Sequence, residues 1–479
     1  MMKINNLVIY SIDKLRSEIL KRNGSVYCGA KTSTVISYEN NLLKKLINDF
    51  KQNNRLNNST DSIDLVDLNF MPKSMKLLNL EEKKNQEVAI LQVDGPVNWE
   101  DAGLFLRSLG FDLKTSPTEE LATIVAGVAT SANGEHSFAF GPLRDQIIEI
   151  TYMDFNGDIK ILSNKNPFKL LNANESDLQS YKRYRDFYLP YANFKNAPFP
   201  RYEKETDLLI ASEGQLGVII GAKIEVKRVS ELVYLAISLP LWEEDFSIHL
   251  HLFRAIQKYR GKILAAEFVD SNSIRCAIGG GGSDEYEILR GKDTLFLEVD
   301  ANFLEEIYDQ LFMVELNGVV SGEQIYQIKE RDYKQIRVQI PRNIMETNNR
   351  MGVLKKGSDI QVPQDKMELL LENYLRGALM AKREGILYYL YGHFGDAHLH
   401  FNLTPKTERE IKICDDYFEE LYDKACEWKA SPFAEHGVGF IKQKFIKRFY
   451  SDVHLRIFKL LKQTHDPYNQ FFPFGFMNL

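Results

Sequence analysis

Residues 386–403 limit the possible folds more than any other stretch of the chain. Ile386-Leu387-Tyr388-Tyr389-Leu390-Tyr391 is apolar and aromatic, Gly392-His393-Phe394-Gly395-Asp396-Ala397 breaks that run, and His398-Leu399-His400-Phe401-Asn402-Leu403 resumes it. Such a pattern predicts a strand, a glycine-bearing turn and a returning strand. Side chains alternate along a strand, so His398, His400 and Asn402 share one face of the second arm, and His393, at the mouth of the turn, comes back beside them. Only nine histidines occur in the chain, and four fall between residues 393 and 436, a bias that ordinary core packing does not ask for. Glu435-His436-Gly437 follows. Two imidazoles and a carboxylate such as Glu435 make a usual three-ligand set for a catalytic divalent metal with an open position. His436 is then left as a general base. The plainer alternative is that one or two of these histidines only hydrogen-bond within a hairpin. His249-Leu250-His251 has the same local spacing without the turn, and reads as a partly exposed helix or strand edge.

A chain of 479 residues exceeds one ordinary core and predicts two or three domains. From about residue 7 to 226, short β-rich runs (88–93, 147–152, 208–210, 218–226) alternate with helical stretches and glycine-bearing loops, an α+β or α/β pattern. Longer amphipathic segments begin near residue 230, with strands expected at 262–269 and 294–299 and helices around 303–316 and 367–383. Residues 441–479 read as a helical run closing on an aromatic tail, too apolar to hang in water and expected to dock on another domain. The formal net charge is −6, with lysines and arginines scattered rather than gathered into a stripe, so nucleic acid is not an expected partner. Glu81-Glu82-Lys83-Lys84 reads as a solvated loop. Cys28, Cys276, Cys414 and Cys426 form no Cys-x-x-Cys pair, and no signal peptide follows Met1, so a reducing, cytoplasmic setting is the expectation. No apolar run has the length of a membrane span, although peripheral contact with a membrane remains compatible.

Gly279-Gly280-Gly281-Gly282 lacks the Lys-Ser/Thr and helix start of a phosphate loop and is read as a flexible loop. Three other segments have more to say: Gly29-Ala30-Lys31-Thr32-Ser33-Thr34, then Ala126-Gly127-Val128-Ala129-Thr130-Ser131-Ala132-Asn133-Gly134, then Ser212-Glu213-Gly214-Gln215-Leu216-Gly217-Val218-Ile219. Small residues and hydroxyls let backbone amides approach an extended anionic ligand, and such turns can form concave nests for its phosphates.

In that order these segments resemble the flavin domain of the vanillyl-alcohol-oxidase (PCMH-type) superfamily of FAD-linked oxidases. More narrowly, the chain is similar to the D-lactate dehydrogenase, glycolate oxidase and D-2-hydroxyglutarate dehydrogenase group. Val66-Asp67-Leu68-Asn69 and Val93-Asp94-Gly95-Pro96-Val97-Asn98-Trp99-Glu100-Asp101 fit its early strands. Residues 126–141 with Arg144-Asp145 fit its pyrophosphate segment, 212–217 its flavin signature, and Gly392-His393 with Glu435-His436-Gly437 its C-terminal catalytic motifs. The resemblance implies an α+β fold: a two-subdomain PCMH-type FAD-binding domain over 1–229, an antiparallel-sheet cap over 230–430, and a segment 431–479 that completes the active site and returns to the FAD domain. Noncovalent FAD would rest its pyrophosphate on residues Gly29, Ala30, Lys31, Thr32, Ser33 and Thr34 and on Gly127, Ala129, Thr130, Ser131, Asn133 and Gly134. Its ring would lie near Glu213, Gly214, Gly217, Val218 and Ile219. The resemblance also makes His393, His400 and Glu435 the ligands of a divalent metal, usually zinc, His436 the base, and Asn402 a substrate contact. Arg342 and Lys356 look like anchors for the substrate carboxylate, the lysine alignment allowing a slip to Lys355. Arg342 has a second reading, an ion pair with Glu346 one helical turn on.

The implied reaction is oxidation of a D-2-hydroxy acid to the 2-oxo acid. A metal acting as Lewis acid lowers the hydroxyl pKa, His436 takes the proton, and the hydride passes to the flavin. The electron acceptor is left among a quinone, a cytochrome, an electron-transfer flavoprotein and oxygen, and a homodimer is compatible with the sequence. Departures from the family pattern stand at His398, where Asn is common, and at Phe472-Pro473-Phe474-Gly475, which replaces a terminal Asn-Pro-Gly. His398 either alters the surroundings of the ligands or joins them. Lys31 and Ser33 stand in what is otherwise a more glycine-rich turn, and Lys31 can pair with a phosphate. Cys28 lies near enough to this loop to raise covalent flavin attachment, although no histidine or cysteine occupies the usual positions. Competing readings are flavin-dependent oxidation of a larger substrate, a metal-dependent hydrolase, and a noncatalytic flavin-binding protein.

Overall fold

The computed structural model describes residues 3–33, 35–36, 38–53, 62–78, 88–278, 289–350, 352 and 356–479. Thr34, Lys355, the 81–84 loop and the 279–282 glycines lie outside the described residues. The chain forms two compact units, one of Met1–Asn133, Pro142–Val229 and Glu435–Leu479, the other of Gly134–Gly141 and Ser230–Ala434.

The first unit is built on two sheets. Lys3–Val8, Ser62–Asp67 and Ser25–Cys28 form a three-stranded parallel sheet in that order. Helix Asn40–Asn53 contributes Leu43, Ile47 and Phe50 to the core beneath it. The second sheet is antiparallel and runs Ser74–Leu78, Val88–Asp94, Val218–Arg228, Ile147–Met153, Ile159–Ser163, with Phe111–Leu113 also on Val218–Arg228. Residues 208–210 are not a strand. A 3-10 turn, Glu205–Leu208, stands there because the buried Asp207 carboxylate accepts the amides of Glu203 and Lys204 at 2.8 Å and pairs with Arg201 at 3.1 Å, which bends the backbone around it.

The C-terminal run resolves into Gln443–Ile446, Asp452–His465 and a tail buried in the first unit. Phe472 N–H donates to the Ser25 carbonyl at 2.8 Å, Met477 N–H to Gln215 Oε1 at 2.9 Å, and Gln443 Nε2 to the Phe474 carbonyl at 2.7 Å. The Phe472-Pro473-Phe474-Gly475 departure is therefore core: Phe472 and Phe474 pack with Val26, Leu43 and Ile47, and a Cβ on Gly475 would fall 2.1 Å from Gln215 Oε1.

The second unit carries one large antiparallel sheet in the order Ile325–Ile328, Leu232–Leu239, Asp293–Asp300, Ile263–Val269, Leu387–Gly392, His398–Thr404, Lys356–Gly357, with Ile360–Gln361 also on His398–Thr404. Helices Ser271–Ile278 and Glu330–Arg350 cover one of its cores. Instead of one α-helix over 303–316, a short α-turn, Leu304–Glu306, opens into a π-type winding, Ile307–Glu315, closed by Leu316 N–H on the Leu311 carbonyl at 2.8 Å. The buried side chains there are Ile307, Leu311, Phe312 and Leu316, and a wider winding keeps the four-then-five spacing of 307, 311 and 316 on one face. His249-Leu250-His251 lies in helix Ser247–Ile256, with His251 outside but His249 fully buried, 3.5 Å from Asp293. It is a core histidine rather than an edge residue.

Candidate active site

Strand His398–Thr404 is buried at every position and paired along both edges. The face holding Phe401 packs against Tyr374, Tyr388 and Tyr417. The opposite face holds His398, His400 and Asn402, registered against Tyr391 and Tyr389 of the preceding strand. The turn between the strands is built to let the rings meet. Gly392 has φ +130°, and a Cβ there would lie 2.9 Å from the His400 ring; one on Gly395 would lie 2.6 Å from Phe138. Ser137 Oγ donates to the Asp396 carboxylate at 2.7 Å and Gln361 Nε2 to the Asp396 carbonyl at 3.0 Å, which holds the turn down. Ring centroids then stand 4.7 Å apart for His398 and His400, 5.4 Å for His393 and His398, and 5.9 Å for His393 and His400.

Each of the three imidazoles has one nitrogen against an acceptor. His393 Nδ1 is 2.8 Å from Glu267 Oε1, His398 Nε2 2.9 Å from Asp359 Oδ1, and His400 Nδ1 3.3 Å from the Ser358 carbonyl. An acceptor against one nitrogen fixes the orientation of the ring, the arrangement by which metal-binding histidines are held. Beside them Asn402 is fully buried, and neither its amide nitrogen nor its oxygen has a hydrogen-bond partner within the described residues.

A residue that the sequence reading missed backs this cluster. The Arg337 guanidinium is buried 2.5 Å from Glu135 Oε1, 3.2 Å from Glu267 Oε2 and 3.2 Å from the Tyr333 hydroxyl. It therefore holds the carboxylate that orients His393. Nearby, Glu298 accepts from His136 Nε2 at 2.8 Å; burial pushes its carboxyl up, but the His136 ring, with Arg337, brings it down to about 2. Burial pushes Glu135 the other way, up to about 7. Helical periodicity would have pointed to Arg337, since Tyr333, Ile336, Ile340 and Ile344 mark the inward face of Glu330–Arg350 and Arg337 lies on it. Arg342 does not; it is exposed, and Glu346 pairs with Arg350. Lys356 pairs with Asp415 at 2.7 Å.

The first unit gathers the glycine-bearing loops. A Cβ on Gly29 would lie 2.5 Å from Thr123 Oγ1, and Gly127 touches the Trp99 ring, so both glycines serve close backbone approach. Lys31, with φ +60°, points its ammonium to Asp67 at 2.7 Å, and Ser33 Oγ accepts the Val35 amide at 3.3 Å; Ala30 and Thr32 complete the described part of this loop. Helix Ile124–Thr130 ends on Ser131 in the left-handed region, Thr130 Oγ1 donates to the Ala126 carbonyl at 3.2 Å, and Asn133 Oδ1 takes the Leu143 amide at 2.9 Å. Gly134 belongs to the second unit. In the third loop Ala211, Glu213, Gly214 and Gly217 all have positive φ before Val218 opens the strand that buries Ile219; a Cβ on Gly214 would meet nothing within 4 Å. The Glu213 amide donates to the Ala129 carbonyl at 2.8 Å, while its carboxylate accepts the amides of Val438 and Gly439 and is pushed by burial up to about 7. Glu435 faces the buried Lys195 at 3.6 Å, and His436 Nε2 is 3.5 Å from Glu435 Oε1.

Turns of alternating hand aim successive amides into a concavity, and the buried hydroxyls of Thr123 and Ser131 have no hydrogen-bond partner within the described residues. These groups fit a phosphate-bearing dinucleotide such as FAD. Three imidazoles, each backed by an acceptor, likewise fit a divalent metal of borderline softness. Cys28 is buried, and burial pushes its thiol up to about 12, which weighs against a covalent flavin bond.

A parallel α/β sheet joined to an antiparallel sheet in one unit, and a long antiparallel sheet bearing buried histidines in the other, define the FAD-linked oxidase class of fold. Residues 243–474, just under half of the chain, match the family described as FAD linked oxidases, C-terminal domain, which with the relatives that follow supports the FAD-linked oxidase (vanillyl-alcohol-oxidase) superfamily. It is similar to the mitochondrial D-lactate dehydrogenase [cytochrome] of Kluyveromyces lactis, 22% identical over 82% of this chain and 62% of that one. A D-lactate dehydrogenase of Archaeoglobus fulgidus is also 22% identical, over 82% and 78%. The mitochondrial D-2-hydroxyglutarate dehydrogenase of Danio rerio is 26% identical over 51% and 44%, so the chain spans under two thirds of the length of two of these relatives. Among solved structures, alkyldihydroxyacetonephosphate synthase shares the fold with a TM-score of 0.62 at 11% identity, covering 97% of this chain and 75% of that one. Among the described residues no helix is long and apolar enough to cross a membrane.

Proposed function

We propose that this protein is an FAD-linked oxidoreductase that oxidises a small D-2-hydroxy acid, of the D-lactate, glycolate or D-2-hydroxyglutarate kind, to the 2-oxo acid. Noncovalent FAD and a divalent metal, zinc by expectation, belong to this reading. The observation that carries it is the trio of buried imidazoles, each keyed on one nitrogen, beside an Asn402 amide whose polar atoms are unmatched within the protein. Bound FAD supplies a two-electron acceptor and the metal a Lewis acid. His393 and His400 hold the ion, with Glu435 closing the set. His436 takes the proton from the substrate hydroxyl, a transfer suited to an imidazole near neutral pH. Asn402 orients the substrate by donating and accepting one hydrogen bond each.

The substrate carboxylate falls to Arg342 and Lys356. Lys356 reaches it by leaving Asp415, an exchange of one carboxylate for another. Arg337, though nearer the imidazoles in its own unit, is already balanced by Glu135 and Glu267, so a further anion gains little from it. The proposal keeps the protein in a reducing, cytoplasmic setting or peripheral at a membrane, which the buried thiols of Cys28 and Cys414 support. The acceptor is a quinone, a cytochrome, an electron-transfer flavoprotein or oxygen.

The test is the visible spectrum of the purified protein under anaerobic conditions, before and after addition of D- and L-2-hydroxy acids. Bleaching of an oxidised-flavin band by one D-enantiomer is expected. A flavin band that no acid bleaches refutes the substrate class, and a colourless protein refutes the flavin.

A further inference from the structure

We infer that His398 is a metal ligand in its own right, so that this chain offers the ion three imidazoles; this rests on the metal half of the proposed function and sharpens it. The first ground is equivalence. His398 has the same equipment as His393 and His400: complete burial, a place on the polar face or its turn, and one nitrogen fixed against an acceptor. A residue that merely supported a ligand would direct its N–H at that ligand. His398 directs it instead at Asp359, whose own carbonyl is tied to the Ala434 amide at 3.0 Å. A carboxylate behind an imidazole is the usual backing of a ligand rather than of a bystander.

The second ground is metric. A tetrahedral centre with metal–nitrogen bonds of about 2.0–2.1 Å holds three ring centroids roughly 5.2 Å apart. The observed separations, 4.7, 5.4 and 5.9 Å, bracket that distance, and one ligand nitrogen from each ring lies within 4.8 Å of the others. The ring of His400 crosses those of His393 and His398 at 74° and 71°, while the His393 and His398 rings are inclined at 32° to each other. With Nε2 committed to Asp359, His398 binds through Nδ1, while His393 and His400 bind through Nε2.

Chemically, the third ring matters because it adds a neutral donor to the His393, His400 and Glu435 set: the carboxylate still offsets half of the ion's double charge, but the ion stays bound without it.

The experiment is X-ray absorption at the zinc edge on the zinc-loaded holoprotein, which counts coordinated imidazoles, together with zinc affinity measured by chelator competition. Three imidazoles are expected in the unaltered protein and two in His398→Asn, whose affinity falls at least tenfold. Asp359→Asn should keep three imidazoles and lose roughly 10–100-fold in affinity, as removal of an orienting partner does. Glu435→Gln keeps zinc with three imidazoles. Two imidazoles in the unaltered protein overturn the inference while leaving the two-histidine metal site standing. A protein that takes up no zinc ends both. The count in the unaltered protein decides the matter even where His398→Asn fails to fold.

Discussion

Acid should destabilise the first unit through two histidines of one helix far from the chemistry, His454 and His465, each lowered by burial to about 4, and the first can be isolated. His454, in the first turn of Asp452–His465, is 2% exposed, and its ring lies against Phe199, Tyr184, Phe187 and Tyr450 at centroid distances of 4.1 to 5.7 Å. Burial lowers its pKa from 6.5 to about 4, and the Ser451 amide, donating to Nδ1 at 3.0 Å, occupies the lone pair a proton would need. The neighbouring Tyr184 and Tyr450 hydroxyls are pushed well up by burial and stay protonated throughout. The folded pKa lies below the unfolded one, so the unfolded chain binds the proton first; stability is whole above pH 6.5 and is lost as the pH falls towards 4. A difference of about 2.5 units at ~1.36 kcal/mol each comes to about 3 kcal/mol. Glu213, raised by burial to about 7, acts oppositely and gains stability as the pH falls from 7 to 4.5. The comparison is therefore with His454→Gln, which keeps an acceptor three residues after Ser451, as a capping box requires, and cannot titrate. Urea unfolding at about pH 7.5 and about pH 4.5 should show the variant less stable at the higher pH, because the ring is lost, with the gap closing by about 2.5 kcal/mol at the lower, most of the full difference. A gap that is the same at both pH values refutes the argument.

Glu267→Gln removes the carboxylate shared by His393 and Arg337; zinc affinity should fall roughly 10–100-fold by chelator competition, and the unfolding free energy by about 3–5 kcal/mol, because Arg337 loses one buried partner. Asn402→Leu exchanges two unmatched buried polar atoms for methyls of similar bulk, so the melting temperature should hold or rise while substrate-driven bleaching disappears; a clear loss of stability would make Asn402 structural. His436→Ala should abolish bleaching by the hydroxy acid and leave the flavin band in place, and retention of bleaching would remove His436 as the base.

The hairpin at 387–404 was legible because glycine, a period of two and a cluster of rare residues pointed to one local geometry, and local geometry is what alternation encodes. Glu267 and Asp359 were not, since a strand residue and a loop residue 126 and 39 positions away carry no sign of the histidine each will meet. Arg337 was readable in principle from the inward stripe of its helix, but no family motif marks it as the resemblance marks Arg342, five positions along. The 208–210 run shows the reverse failure: three apolar residues suggest a strand, and a single buried aspartate just before them turns the backbone. Lys31 is matched to a phosphate by type alone, and its neighbour Asp67, 2.7 Å away in the folded chain, carries no local sign of that pairing.

The tail threaded through the first unit has a consequence for biosynthesis. That unit needs the Ser25–Phe472, Gln215–Met477 and Gln443–Phe474 bonds, yet most of the second unit, Ser230–Ala434, emerges from the ribosome before any of the second partners has been made. The usual order, in which N-terminal domains finish first, is therefore denied to it. Its two sheets must wait, part-built and with their apolar faces uncovered, through the translation of more than 200 further residues. During that interval the nascent chain is a natural client for holding chaperones, and a premature stop within the last helix would release a product with an intact second unit and a first unit that cannot close.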